Sequence, residues 1–211
     1  SVLRQPGYRA FGRLPDERRQ AALGRRMADA AGYVSTPADQ LYDATGAQED
    51  WAYVSQDALA YTIEIGGRAF QGPFRTDVVQ QYDGRPRTES AGKGLREALL
   101  LGAEAAAAPS GHGVITGTAP GVRLLTLERS FTTATSAVCA EDLAAHTCPS
   151  PLAPILIPDG ISTTMKVPAS GVFRWQVAPS TGPLDERAGR TTAWTLRCEA
   201  PEGFPLGTQQ V

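Results

Sequence analysis

Histidine is scarce in this 211-residue chain: His112 and His146 are the two, both in or bordering the second half. The residue best suited to metal ligation and to proton transfer near neutral pH is therefore in short supply. Cys148 stands two residues after His146, but no Cys-x-x-Cys or histidine-rich partner accompanies it, so a structural zinc site is poorly supported. The nucleophile pattern Gly-x-Ser-x-Gly is missing, and so is the phosphate-cradling GxxxxGK[ST]. Their absence argues against a Ser-His-Asp hydrolase and a P-loop nucleotide site; Lys93, between Gly92 and Gly94, reads as a helix start. No apolar run approaches the roughly 18 residues of a membrane span. Charge of either sign is not in excess, with 20 Lys and Arg against 22 Asp and Glu, and no basic cluster is interleaved with aromatics. A nucleic-acid surface is thereby disfavoured. Three cysteines, Cys139, Cys148 and Cys198, give an odd count. In a secreted protein that implies one disulfide and one free thiol, with three pairings open. Ser1-Val2-Leu3-Arg4 lacks the apolar core of a signal peptide, which is uninformative if Ser1 is not the true start.

What is present suits a globular chain of one large or two modest domains: 42% of the residues are apolar and 20% charged. Leu14-Pro15-Asp16 signals a helix start, with Pro in the first turn and acids at Asp16 and Glu17 favouring the positive helix end. The helix is expected to run to about Ala31 and stop at Gly32. Leu23, Met27 and Ala30 or Ala31 form its buried stripe, and Arg18, Arg19, Arg25 and Arg26 its solvated face. A second helix is expected over Gly92–Ala108, burying Leu95, Leu99 and Ala103, with Lys93 and Glu97 as a surface pair. Between the two, Phe70, Phe74, Val78 and Val79 are core candidates, and Asp83–Ala91 reads as a loop.

Pro109-Ser110-Gly111-His112-Gly113 breaks the pattern and marks a boundary between domains at 1–108 and 111–211. Beyond it come short β-type runs: Val114–Thr116, Arg123–Arg129, Met165–Val167, Val172–Val177 and Thr192–Cys198. Pro120-Gly121, Asp159-Gly160, Ser170-Gly171 and Ser180–Pro183 are the expected turns. This spacing predicts an all-β antiparallel sandwich. Phe173, Trp175 and Val177 are expected to face its core.

The chain's chemistry concentrates in LYDATGAQEDWAYVSQDALAYTIEIGG, Leu41–Gly67. Ala60–Ile63 reads as a strand leading into Glu64 and Ile65, bounded by Gly66-Gly67. A carboxylate at the end of a mostly apolar strand is costly to bury unless paired or functional. Tyr42 opens this stretch 22 positions before Glu64, and Asp50-Trp51-Ala52-Tyr53 lies between.

These elements, in register and without a gap, resemble the C-terminal half of the catalytic domain of M14-type zinc carboxypeptidases. That family has a tyrosine on a mobile loop, then an Asp-Trp-x-Tyr element, then a strand ending in a glutamate. A proline-acid helix start, an aromatic-glycine-proline loop (here Phe70-Gln71-Gly72-Pro73-Phe74) and a closing helix fit as well. The resemblance implies an α/β, mixed-sheet fold for 1–108. It also implies secretion, since small sandwich modules commonly follow secreted bacterial-type carboxypeptidase domains.

By that resemblance Glu64 is the general base acting on a zinc-bound water, and Tyr42 is a phenol that closes on the substrate. Glu49, seven positions after Tyr42, falls at the base of the pocket for the departing side chain. An acid there favours Lys or Arg. Asp50 and Trp51 support the pocket wall, with Asp50 counted among the substrate-binding residues. The family's His-x-x-Glu pair and third histidine have no counterpart here. All zinc ligands, and the arginines for the substrate's terminal carboxylate, are therefore expected upstream of Ser1, and the chain alone is expected to be inactive. Peptide or protein C-termini are the expected partners. The rival reading is a non-catalytic, peptidase-like binding protein whose sandwich binds protein or carbohydrate.

Overall fold

Strand β1 (Val2–Arg4) takes the centre of a three-stranded sheet, between β2 (Ser35–Pro37) and β3 (Tyr61–Ile63). It runs parallel to β2 and antiparallel to β3, so Leu3 lies opposite both Thr36 and Thr62. The computed structural model describes residues 1–9, 14–66, 70–84, 93–134, 155–178, 193–200, 203 and 205–211. The chain divides into two compact units, Ser1–Tyr53 with Asp57–His112, and Gly113–Val211 with Val54–Gln56. Cys139, Cys148, His146, residues 85–91 of the expected loop Asp83–Ala91 and the expected turn 180–183 lie outside the described residues, while Asp83 itself closes a helix.

In the first unit, α1 (Glu17–Ala31) follows the proline-acid start and ends at Gly32. Gly32 turns left-handed (φ 70°) and donates its N–H to the carbonyls of Ala28 and Asp29, closing the last turn. Val2, Met27, Ala28 and Ala98 form the core, with Leu23, Ala30, Ala31, Tyr61, Ile63 and Leu101 packed around them. Contact with the sheet is close because position 24 lacks a side chain. A Cβ on Gly24 would lie 2.5 Å from Ser35 Oγ and 3.1 Å from Tyr61 Cε1. Arg18, Arg19, Arg25 and Arg26 are exposed, as their charge requires.

Helix α4 (Leu95–Ala107) buries a different stripe from the expected one. Leu95 and Ala98 are buried and Leu101 half-buried, whereas Leu99 and Ala103 face solvent. The run Leu99-Leu100-Leu101 supports several helical faces. The choice falls to Ala98, small enough to sit against Val2 and Met27. Lys93 and Glu97 form the expected surface pair at 3.4 Å.

Phe70, Phe74 and Val79 are also not core residues; Phe70 is 96% exposed. A wide helical turn over Arg75–Val79, continuing into α3 (Gln80–Asp83), directs Asp77 inward in their place.

The second unit is antiparallel throughout its described strands. β4 (Gly113–Thr118) pairs with β7 (Val172–Val177). The other sheet has the order β6 (Leu156–Lys166), β5 (Leu124–Ala134), β8 (Thr195–Glu199), β9 (Pro205–Gln210). Alternation along β7 buries Phe173, Trp175 and Val177, as expected. They share one core with Leu125, Leu127, Trp194 and Leu196 from the other sheet's side. Asp159-Gly160 is not a turn but lies inside β6, where Gly160 pairs with Ser130. A Cβ there would stand 3.1 Å from the Arg129 carbonyl oxygen, so glycine answers a close backbone approach. Cys198 is a half-buried free thiol packed beside this core. No helix among the described residues is long and apolar enough to cross a membrane.

Candidate functional site

Sheet parity decides what stands near Glu64. Alternate residues of a strand share a face, so Thr62 and Glu64 project to the side opposite Tyr61 and Ile63. Glu64 sits just past β3 and extends the pairing with the chain start: its N–H donates to the Ser1 carbonyl at 3.0 Å. Ser1 Oγ donates to Glu64 Oε2 at 2.9 Å, and the side chain is exposed. This carboxylate is therefore held by one hydroxyl and open to water, rather than desolvated beneath a wall of apolar groups.

The Asp50-Trp51-Ala52-Tyr53 element lies in a helix, α2 (Gln48–Gln56). Its acids at Glu49 and Asp50 occupy the first turn, where a negative charge meets the positive helix end. Helical spacing turns Glu49, Asp50 and Tyr53 inward and leaves Trp51 60% exposed, so Trp51 does not support an inner wall. Tyr53 is buried, donates its hydroxyl to Asp16 Oδ2 at 3.0 Å, and accepts the Asp16 N–H at 3.3 Å. The phenol thus ties α2 to the start of α1.

Glu49, 6% exposed, accepts the Thr62 hydroxyl on Oε2 at 2.8 Å. Its carbonyl accepts Gln5 Nε2 at 2.6 Å. Since Thr62 precedes Glu64 by two residues, Glu49 meets β3 about 7 Å short of Glu64 along one face. Glu49 and Glu64 are thereby brought to the same side of the sheet.

Asp50 has a different task. Its carboxylate accepts the Gly7 N–H at 2.9 and 3.1 Å and the Tyr8 N–H at 3.0 Å. Burial pushes its pKa above the ordinary aspartate value; the two N–H groups pull the other way, and Glu49 and Asp39 add to the rise. With its oxygens committed to backbone donors, Asp50 holds the turn after β1 and has little capacity left for a ligand.

Tyr42 follows the short helical turn Ala38–Gln40 and is 65% exposed. Among the described residues no hydrogen bond joins it to Glu64. The turn segment Pro6–Arg9 runs beside its loop. Pro6 O accepts the Asp39 N–H at 2.9 Å, Gly7 O accepts the Ala44 N–H at 3.0 Å, and the Arg9 N–H donates to Asp43 Oδ1 at 2.7 Å.

These residues do not fit a catalytic zinc by themselves. His112 is engaged at Nδ1 with the Ala108 carbonyl at 2.9 Å. Among the described residues no group of three His, Cys, Asp or Glu side chains is placed to hold a metal. Sequence reasoning missed Thr62 and the Gly7–Arg9 segment. Thr62 was findable from its two-residue spacing to Glu64, whereas backbone donors leave no mark in a side-chain pattern. No family model matches the chain, and neither a curated protein nor a solved structure does.

Proposed function

We propose that this chain is the C-terminal part of a secreted M14-type zinc carboxypeptidase catalytic domain, followed by a β-sandwich accessory domain. The complete enzyme removes C-terminal residues from peptides, with zinc held by ligands in a preceding segment. The observation that carries the reading is the shared face of β3. Glu64, Thr62 and Glu49 stand together there, at positions where the resemblance calls for a base and the floor of a side-chain pocket. Support for a sandwich comes from the two antiparallel sheets and their common core.

Within this reading the chain's own residues have separable tasks. Glu64, open to water, accepts a proton from an attacking water and returns it to the leaving amine. Tyr42 donates a hydrogen bond to the bound peptide from its exposed loop. Glu49 offers Oε1 to a cationic side chain while Thr62 holds Oε2.

The test is metal content and hydrolysis of C-terminally unblocked peptides by the full-length protein. One equivalent of zinc and chelator-sensitive release of C-terminal residues are expected, while the 211-residue chain alone is inactive. A full-length protein that takes up no zinc and binds peptides without cleaving them would replace the enzyme with a peptidase-like binding protein.

A further inference from the structure

The loop that carries Tyr42 is pinned on both sides of the tyrosine by one residue. Arg9 donates its backbone N–H to Asp43 Oδ1 at 2.7 Å, one position after Tyr42. Its guanidinium donates through Nη2 to the Asp39 carbonyl at 3.1 Å, three positions before, and stands 3.7 Å from the Asp39 carboxylate. Arg9 is itself anchored through its neighbours, because Asp50 holds the N–H groups of Gly7 and Tyr8. A continuous line of bonds therefore leads from α2, through the turn after β1, to both ends of the segment Asp39–Asp43. The Tyr42 ring is left exposed between the fixed points.

We infer that Arg9 and Asp43 form a latch that positions Tyr42, confining loop movement to the few residues between the two anchors. Arg9 and Asp43 are positioning residues: they act through Tyr42 and need not touch substrate. Asp43 is the decisive half. A charged acceptor on a backbone N–H gives a short bond, here 2.7 Å, whereas the Arg9–Asp39 ion pair is 3.7 Å long, is made by an Arg9 side chain 68% exposed, and contributes little. The consequence for catalysis rests on the reading of Tyr42 as a substrate-binding phenol; the latch itself does not.

Hydrogen exchange of the 211-residue chain separates the two. In Asp43→Ala, the amides of Arg9 and of residues 39–46 are expected to exchange about tenfold faster, the loss of one charge-assisted bond. The amides of α1 and α4 should be unchanged. Asp43→Asn, which keeps an acceptor oxygen but not its charge, should restore part of the protection. Unchanged exchange at Arg9 and residues 39–46 in Asp43→Ala would overturn the latch. So would acceleration spread evenly over the first unit, which would mark Asp43 as a general support of the fold. In the full-length enzyme, Asp43→Ala should raise KM about fivefold and leave kcat within twofold, because a clamp that must be ordered on binding weakens affinity before chemistry. Faster exchange with KM unmoved would uphold the latch and remove Tyr42 from substrate binding.

Discussion

The Thr62 hydroxyl reaches Glu49 Oε2 at 2.8 Å, linking the strand that leads into Glu64 to the first turn of α2. Through this bond, two carboxylates 15 positions apart in sequence report to one face of one strand. The link also explains how Glu49 is tolerated at 6% exposure: Thr62 satisfies one oxygen, and the start of α2 favours its charge.

Under the proposed function, Glu64→Gln in the full-length protein should retain zinc and fold but lose roughly 10²–10⁴-fold in kcat, the usual contribution of a general base. Tyr42→Phe should act mainly on KM, since it removes one hydroxyl and keeps the ring. Steady-state kinetics decide both, and near-wild-type kcat for Glu64→Gln would exclude it as the base.

Specificity should follow Glu49. Matched peptides ending in Arg or Phe are expected to be cleaved with a clear preference for Arg, since a buried carboxylate pairs with a cation and is left unmatched by a phenyl ring. Glu49→Gln should narrow that preference. Equal cleavage of the two peptides by wild type, or an unchanged ratio in the variant, would show that Glu49 plays no part in selection.

Alkaline stability should depend on Tyr61. Burial pushes its pKa up to about 12, from an unfolded value of 10.0. A folded pKa above the unfolded one means that the unfolded chain loses the phenolic proton first. The stabilisation is therefore complete below pH 10 and lost as pH rises toward 12. Tyr61→Phe should flatten the stability profile over that window in denaturant titrations. It should also cost about 1 kcal/mol near neutrality, where the bond to the Gln20 carbonyl at 2.9 Å is gone. A profile over pH 10–12 as steep as wild type would assign the alkaline loss to another group.

Gly94→Ala should be among the most damaging small substitutions in the first unit. Its φ is +89°, and a Cβ would stand 2.3 Å from Gly84 N and 2.4 Å from the Tyr82 carbonyl oxygen, both backbone. Strain and overlap together should cost about 3 kcal/mol or more. Gly121→Ala is the comparison: φ is +77° and nothing lies within 4 Å, so about 1 kcal/mol is expected. Thermal unfolding of the two variants should separate them clearly.

Where a residue's chemistry bore on its own backbone, the sequence was readable. Pro15 and Gly32 bracketed α1 because each acts through its own backbone angles, and period-2 alternation picked out Phe173, Trp175 and Val177. Tertiary context overrode the rest. Leu99 met the helical period as well as Ala98 did, but the space beside Val2 admitted the smaller residue. The Asp-Trp-x-Tyr element carried no helix signal of its own, yet it lies in α2, with Asp50 as acceptor for a distant turn. Asp159-Gly160 carried a turn signal, and eleven paired positions with β5 outweighed it. At the site, Glu49, Asp50, Tyr42 and Glu64 were all noticed. Asp50's partners were not, because backbone N–H groups are the same in every sequence.

The central place of β1 also sets a timetable. Val2 pairs with Ser35 and with Ile63, so β1 precedes both of its partners by a long stretch of chain. Such pairing closes large loops before any contact is gained and is slow to form. During synthesis, the middle of the sheet must wait until Ile63 has left the ribosome, about 3–12 s after Val2 at roughly 5–20 residues per second. For that interval Leu3, almost wholly covered in the finished unit and opposite Thr62, is unclaimed apolar surface, the kind that holding chaperones bind.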